Sequence, residues 1–195
     1  MDFTDTALDL AFFKARTEHQ FLDRAIDDEL LRRLYDVCKW GPTSVSCQPM
    51  RLVFVRSEEA KLKLKPSLMP GNVDKTMAAP VTAVVAIDKR FYEQLPTQFP
   101  FMPQARDMLA ADEAFASFTG TLNASLQGAY LIIAARLLGL GAGPMSGFDA
   151  AKVNEAFFPD GDWHAHFLVN LGYADDGGFR PRGPRLAFDE VARVV

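Results

Sequence analysis

Apolar positions in this chain recur at two periods, and the switches between them mark its elements. Leu30, Leu31, Leu34, Val37 and Cys38 fall on one helical face. Asp27 precedes them as an N-cap, and Ile26 is placed to staple onto Leu31. Gly41-Pro42 ends that helix. A shorter helix is expected over 4–14, with Leu8, Phe12 and Ala15 on one face. Leu52-Val53-Phe54-Val55 is apolar without alternation and predicts a strand buried on both faces. A helix starting at Ser57-Glu58-Glu59-Ala60 runs to Pro66, and 72–77 forms another short one. Residues 80–87 and 167–173 give two more buried strands.

A long helical region lies between these last two strands. Leu122, Leu126, Ala129, Ile133 and Leu137 line one face, and Leu131, Ile132, Ala134 and Ala135 fill the others. A helix apolar nearly all round predicts a central, buried element. Gly139 and Gly141 end it, and Asp149 caps a further helix over 153–157. Residues 91–103 break the pattern with Pro96, Pro100 and Pro103 among Phe91, Phe99, Phe101 and Met102. That stretch reads as an irregular cover over an active site or a subunit contact. No repeat or low-complexity tract interrupts the order, so 1–195 is read as one domain of mixed helix and strand.

Composition adds little to this picture. The 195 residues are 49% hydrophobic and 24% charged, which is ordinary for a globular chain. A net charge of −4 gives no reason to expect nucleic acid or an anionic membrane as partner. The longest apolar run, 129–135, is closed by Arg136 and is too short to span a bilayer. The start Met1-Asp2-Phe3-Thr4-Asp5 lacks the basic and apolar regions of a signal peptide. Cys38 and Cys47, at a spacing that suits neither zinc nor a redox pair, read as reduced core thiols of a cytoplasmic protein.

Candidate chemistry lies in five polar clusters. Arg16-Thr17-Glu18-His19 stands between two helices. Gly41-Pro42-Thr43-Ser44-Val45-Ser46-Cys47-Gln48-Pro49 makes a stiff turn rich in donors and acceptors. Asn72 and Lys75 share one face of a helix. Pro144-Met145-Ser146-Gly147-Phe148-Asp149 precedes a helix, and Gly147 permits close backbone approach. Arg180, Arg182 and Arg185, broken by prolines, form a rigid basic strip suited to phosphate. His164-x-His166 lacks a third ligand at sensible spacing, so no metal site is expected.

These five clusters, in this order, resemble the motifs of the nitroreductase superfamily of flavin mononucleotide (FMN) enzymes. Arg16-Thr17-x-His19 is similar to its Arg-Ser-x-Arg/Lys motif, and 42–49 to its Pro-Ser-Ser-x-Asn-x-Gln-Pro turn. Asn72, Lys75 and Ala79-Pro80, then 144–149, then Arg180-x-Arg182 match its remaining motifs. The resemblance implies an α+β, nitroreductase-like fold: a central, mainly antiparallel sheet flanked by helices, in an intertwined homodimer. FMN would sit at the dimer interface, with NADH or NADPH as electron donor. Arg16, Thr17, Arg180 and Arg182 would hold its phosphate. Asn72 and Lys75 would meet the pyrimidine side of the ring, and the backbone at Ser146-Gly147, beside Met145, would donate to N5. Pro42, Thr43, Ser44 and Ser46 would come from the other subunit. Ser46 stands where the family has Asn, and His19 where it has Arg or Lys near the N1–C2 edge.

Ala15-Arg16-Thr17, Gly41-Pro42-Thr43-Ser44, the strand entry at 79–83 and the turn at 143–149 resemble more closely the malonic semialdehyde reductase branch of pyrimidine degradation. That resemblance implies ping-pong hydride transfer through flavin N5 to a small 3-oxo acid such as malonic semialdehyde, giving 3-hydroxypropionate. No side chain would act as catalyst in its own right. A 3-oxo acid also needs a cation for its carboxylate, and Arg106 or another residue near 91–103 is the candidate. A general nitroaromatic or quinone reductase is the alternative reading, and a non-catalytic flavin-binding or scaffold dimer is the third.

Overall fold

The computed structural model describes residues 3–175 and 182–195. Four strands form one sheet: β1 (Met50–Val55), β2 (Val81–Asp88), β3 (Gly141–Met145) and β4 (Trp163–Gly172). Their order is β1-β2-β4-β3, and each neighbouring pair is antiparallel. The helices are α1 (Phe3–Leu8), α2 (Asp28–Cys38), α3 (Glu58–Leu64), α4 (Pro70–Ala78), α5 (Leu95–Gln98), α6 (Ala105–Ala111), α7 (Glu113–Leu137), α8 (Ala150–Phe157) and α9 (Phe188–Val191).

Alternation along the inner strands explains why helices cover both faces. Val81, Ala83 and Val85 of β2, with Val169 and Leu171 of β4, pack with Leu31 and Leu34 of α2 and Leu131, Ala134 and Ala135 of α7. Val84, Ala86 and Leu168 point the other way, toward Leu64 of α3 and Val153 of α8. The expected arrangement of an antiparallel sheet between helices is the one found. Asp27 caps α2 by accepting from Leu30 N at 2.7 Å, and Asp149 caps α8 by accepting from Ala151 N at 3.0 Å.

Four expectations are corrected. β1 is an edge strand, and its residues from Arg51 to Phe54 are only half-buried, because it has a neighbour on one side alone. The stretch 91–103 is not wholly irregular: it carries a 3₁₀ turn over Phe91–Gln94 and then α5, with Phe91 and Leu95 buried against Leu109 and Ala116. Residues 141–145, read as helix end and turn, form β3. The face of α7 that carries Leu122 and Leu126 is exposed, whereas its opposite face, with Asn123, Ala124, Gln127 and Gly128, is buried.

Candidate functional site

Arginines from three separate stretches converge on one cleft of about 400 Å³. Arg16, Thr17 and His19 come from the loop after the first helical segment, Arg136 from the last turn of α7, and Arg182 and Arg185 from the C-terminal stretch. The backbone carbonyls at the end of that first segment gather them. Arg182 Nη2 donates to Phe12, Phe13 and Ala15 carbonyls at 3.0, 2.7 and 2.8 Å. Arg16 Nη1 donates to the Ala15 carbonyl at 2.9 Å, and Arg136 Nη1 to that of Ala11 at 2.9 Å. Carbonyls at a helix end carry partial negative charge and attract such cations.

None of these four arginines makes an ion pair with a carboxylate among the described residues. Burial pulls the Arg136 guanidinium below its ordinary value, Glu18 opposes that shift, and Arg182 adds to it. A cluster of guanidiniums with donors to spare fits a multiply charged oxyanion.

β3 leads away from this cleft. Thr17 bridges Ala142 in parallel, and Glu18 N donates to the Ala142 carbonyl at 3.1 Å. Gly143 makes this approach possible, since a Cβ there would lie 2.5 Å from the Glu18 carbonyl oxygen. Five residues on from Ala142 stands Gly147, at most about 16 Å away along extended backbone.

At that far end the turn 145–149 meets α4. The Gly147 carbonyl accepts from Asn72 Nδ2 at 2.7 Å and from Met69 N at 3.1 Å. A Cβ on Gly147 would come within 2.4 Å of Asn72 Nδ2, so only glycine lets the side-chain amide close in. The N–H groups of Ser146 and Gly147 have no hydrogen-bond partner among the described residues. Lys75 shares the face of α4 with Asn72 and is half-buried.

A buried polar chain fixes α4 over the end of β3. Thr82 Oγ1 donates to Asn170 Oδ1 at 2.8 Å, and Asn170 Nδ2 donates to Thr76 Oγ1 at 3.2 Å. Thr76 Oγ1 then lies 3.6 Å from Met145 Sδ. All three polar residues are fully buried, and each finds its partner within the chain.

The turn at 41–49 lies elsewhere. It leads into β1, whereas the cleft and Gly147 adjoin β3 at the opposite sheet edge. It docks on the middle of α7: Tyr130 Oη donates to the Pro42 carbonyl at 2.9 Å, and Ser44 N donates to Asn123 Oδ1 at 2.8 Å. Thr43 Oγ1 accepts from Gln48 N at 3.3 Å. Val45, Ser46 and Gln48 have φ of 47°, 51° and 40°, left-handed positions without glycine that persist only under constraint from their surroundings. Asn123 and Arg136 are 13 helical residues apart, so turn and cleft of one chain stand about 20 Å from each other along α7.

Within one chain, then, Arg16, Thr17, His19 and Arg182 come together, and so do Asn72, Met145, Ser146 and Gly147. Pro42, Thr43, Ser44 and Ser46 do not join either group. Arg180 lies outside the described residues. Arg136 escaped the sequence reading, although a lone cation closing an otherwise apolar run was a signal. Arg106 is already engaged: Nε and Nη2 donate to the two Glu93 carboxylate oxygens at 3.0 and 2.7 Å, and Nη1 to Asp107 at 3.0 Å.

The thiols of Cys38 and Cys47 are buried, and burial pushes both up to about 11, so neither is a thiolate near neutrality. His166 Nε2 lies 2.8 Å from Ser125 Oγ. Among the described residues no group of three metal-ligating side chains forms, and no helix is long and apolar enough to cross a membrane.

The overall arrangement suits an elongated ligand with an anionic group at one end and a planar, hydrogen-bonding head at the other. Comparisons with known proteins bear on the family. The model of the nitroreductase family matches residues 14–173. A Burkholderia lata protein provisionally named NADH dehydrogenase/NAD(P)H nitroreductase is 54% identical over 191 residues, covering 98% of this chain and 97% of its own. The Bacillus subtilis protein ydfN, provisionally named a nitroreductase, has a TM-score of 0.88 at 22% identity, over 98% of this chain and 100% of its own. A nitroreductase of Exiguobacterium sibiricum, solved in complex with FMN, has a TM-score of 0.82 at 21% identity, over 100% of this chain and 97% of its own.

Proposed function

We infer that this chain, which belongs to the nitroreductase family, is an FMN-dependent NAD(P)H oxidoreductase acting as a single domain. The observation that carries this reading is the arginine cleft joined by β3 to the Asn72–Gly147 pair. Arg16, Thr17 and Arg182, which line the cleft, would hold the FMN phosphate. Asn72 and Lys75, on one face of α4, would meet the head group. The N–H groups of Ser146 and Gly147, without a partner among the described residues, would donate to a ring nitrogen. FMN, when bound, supplies the hydride relay between NAD(P)H and an acceptor. The protein's share is orientation: the Thr82–Asn170–Thr76 chain holds α4 at a fixed height over Met145. The E. sibiricum relative in complex with FMN supports the cofactor, and the name of the B. lata relative supports the donor.

A homodimer completes the site in this reading. Phe118, Leu122, Leu126 and Leu137 leave an apolar stripe exposed along α7. Pairing two such stripes about a two-fold axis buries them. The turn 41–49 docks on α7 at Asn123 and the cleft lies at Arg136, so antiparallel pairing that crosses near Tyr130, midway between them, brings each turn toward the partner's cleft. Thr43, Ser44 and Ser46 then reach the ligand from the second subunit. Two buried free thiols suit a cytoplasmic location.

Two acceptors are weighed. A small 3-oxo acid such as malonic semialdehyde rests on the sequence resemblance at 15–17, 41–44, 79–83 and 143–149. Against it, Arg106 is satisfied by Glu93 and leaves that carboxylate without its expected cation. A nitroaromatic or quinone needs no such cation, and the engagement of Arg106 favours it as the second reading. The test is the absorbance spectrum of the purified protein before and after NAD(P)H. Flavin absorption that the nucleotide bleaches is expected; a protein that neither carries nor takes up FMN defeats the reading. Turnover of a 3-oxo acid against a nitroaromatic on one preparation then separates the acceptors.

A further inference from the structure

We propose that Arg136 is a phosphate-selecting residue of this cleft, resting on the reading that the ligand is FMN. Arg136 ends an apolar stretch of α7, where a guanidinium is costly to bury unless paired. Two of its nitrogens are accounted for: Nη1 donates to the Ala11 carbonyl at 2.9 Å and Nη2 to the Arg16 carbonyl at 3.4 Å. Nε is buried without a partner among the described residues. Each Nη keeps a second proton beyond these bonds, and Arg136 lines the cleft.

The surroundings favour an anion over water. Arg136 lines the same cleft as Arg16, Arg182 and Arg185, and none of these makes an ion pair among the described residues. Glu18 offsets part of the charge on Arg136, but four guanidiniums outnumber it and repel until further negative charge enters between them. Arg136 serves in two ways. It adds a fourth positive charge to the cleft, and through the Arg16 carbonyl it steadies the backbone on which Arg16 and Thr17 stand. A dianionic phosphate gains from both. An uncharged ribityl hydroxyl in its place gains little.

The test compares FMN with riboflavin, which lacks only the phosphate, on flavin-free protein followed by quenching of flavin fluorescence. In the natural protein FMN binds more tightly than riboflavin. In Arg136→Met, FMN affinity falls about ten- to a hundred-fold while riboflavin affinity stays within about two-fold. Arg136→Lys keeps a charge without the planar fork and recovers part of the preference. Equal losses for both flavins, or an unchanged FMN preference in Arg136→Met, overturn the proposal and leave the FMN reading standing. A natural protein that binds neither flavin overturns both. Should Arg136→Met fail to fold, Arg136→Lys against the natural protein carries the same ratio: a reduced FMN preference supports the role, an unchanged one refutes it.

Discussion

Asn123 Oδ1 accepts the backbone N–H of Ser44 at 2.8 Å, tying the middle of α7 to a turn 79 residues earlier in the chain. The same side chain donates through Nδ2 to the Thr119 carbonyl at 2.8 Å, and it is fully buried. One turn along, Gln127 Oε1 accepts from Met50 N at 2.9 Å. Two buried amides thus hold both ends of a segment whose left-handed residues are not glycine. Replacing Asn123 by Ala removes the acceptor and is expected to cost about 1–2 kcal/mol. Thermal unfolding measures that loss, and gel filtration followed by absorbance measures retained flavin. Reduced stability with full flavin retention would mean that the turn has no part in the site.

Gly147→Ala places a methyl where Asn72 Nδ2 now sits, at 2.4 Å. The Asn72–Gly147 contact of 2.7 Å must open, and the turn must move off α4. Flavin affinity is expected to drop about ten-fold or more, at a stability cost of about 1–2 kcal/mol. Equilibrium titration with FMN and urea unfolding report the two separately. Unchanged affinity would place the ligand away from this turn.

Leu122 is 47% exposed at the centre of the α7 stripe. Leu122→Glu puts a charge into any surface that buries this stripe, which desolvation makes costly. Light scattering is expected to show the dimer converted to monomer, with loss of bound flavin. Leu62→Glu on α3, at a site 53% exposed, serves as control and leaves both unchanged. A Leu122→Glu protein that stays dimeric would move the interface elsewhere.

His164 is held below its ordinary value, first by burial, then by Lys89 and His166, and its Nδ1 is buried without a partner among the described residues. His166, beside Ser125, is lowered by burial. The unfolded chain therefore takes up protons at a higher pH than the folded one. Stability from these imidazoles is intact above about pH 6.5 and falls as pH drops below it toward their folded values. Urea midpoints measured between pH 7 and pH 5 should decline less steeply in His164→Gln than in the natural protein. Parallel profiles would assign the acid sensitivity to other groups.

Much of this molecule was set by local pattern. Leu31, Leu34 and Cys38 at helical spacing after Asp27 are enough to specify α2, and the unbroken Val-rich run of β2 marks a strand covered on both faces, because period and capping act over a few residues. The order of the five polar clusters was legible for the same reason. β3 was not: Gly141-Ala142-Gly143-Pro144-Met145 has no β-branched residue, and its small side chains make sense only once Glu18 lies against it. Nor was the orientation of α7, since a helix apolar on nearly every face does not say which face meets the sheet; Asn123 and Gln127 decide that by finding backbone N–H groups at Ser44 and Met50. The pairing of Arg106 with Glu93 was not legible, because Glu93 is 13 residues away and comes beside it only when the proline-rich segment coils. The joining of Arg136 to Arg16 and Arg182 was likewise a tertiary outcome. Charges far apart in sequence become one cleft only after the chain has closed, and sequence carries their types but not their distances.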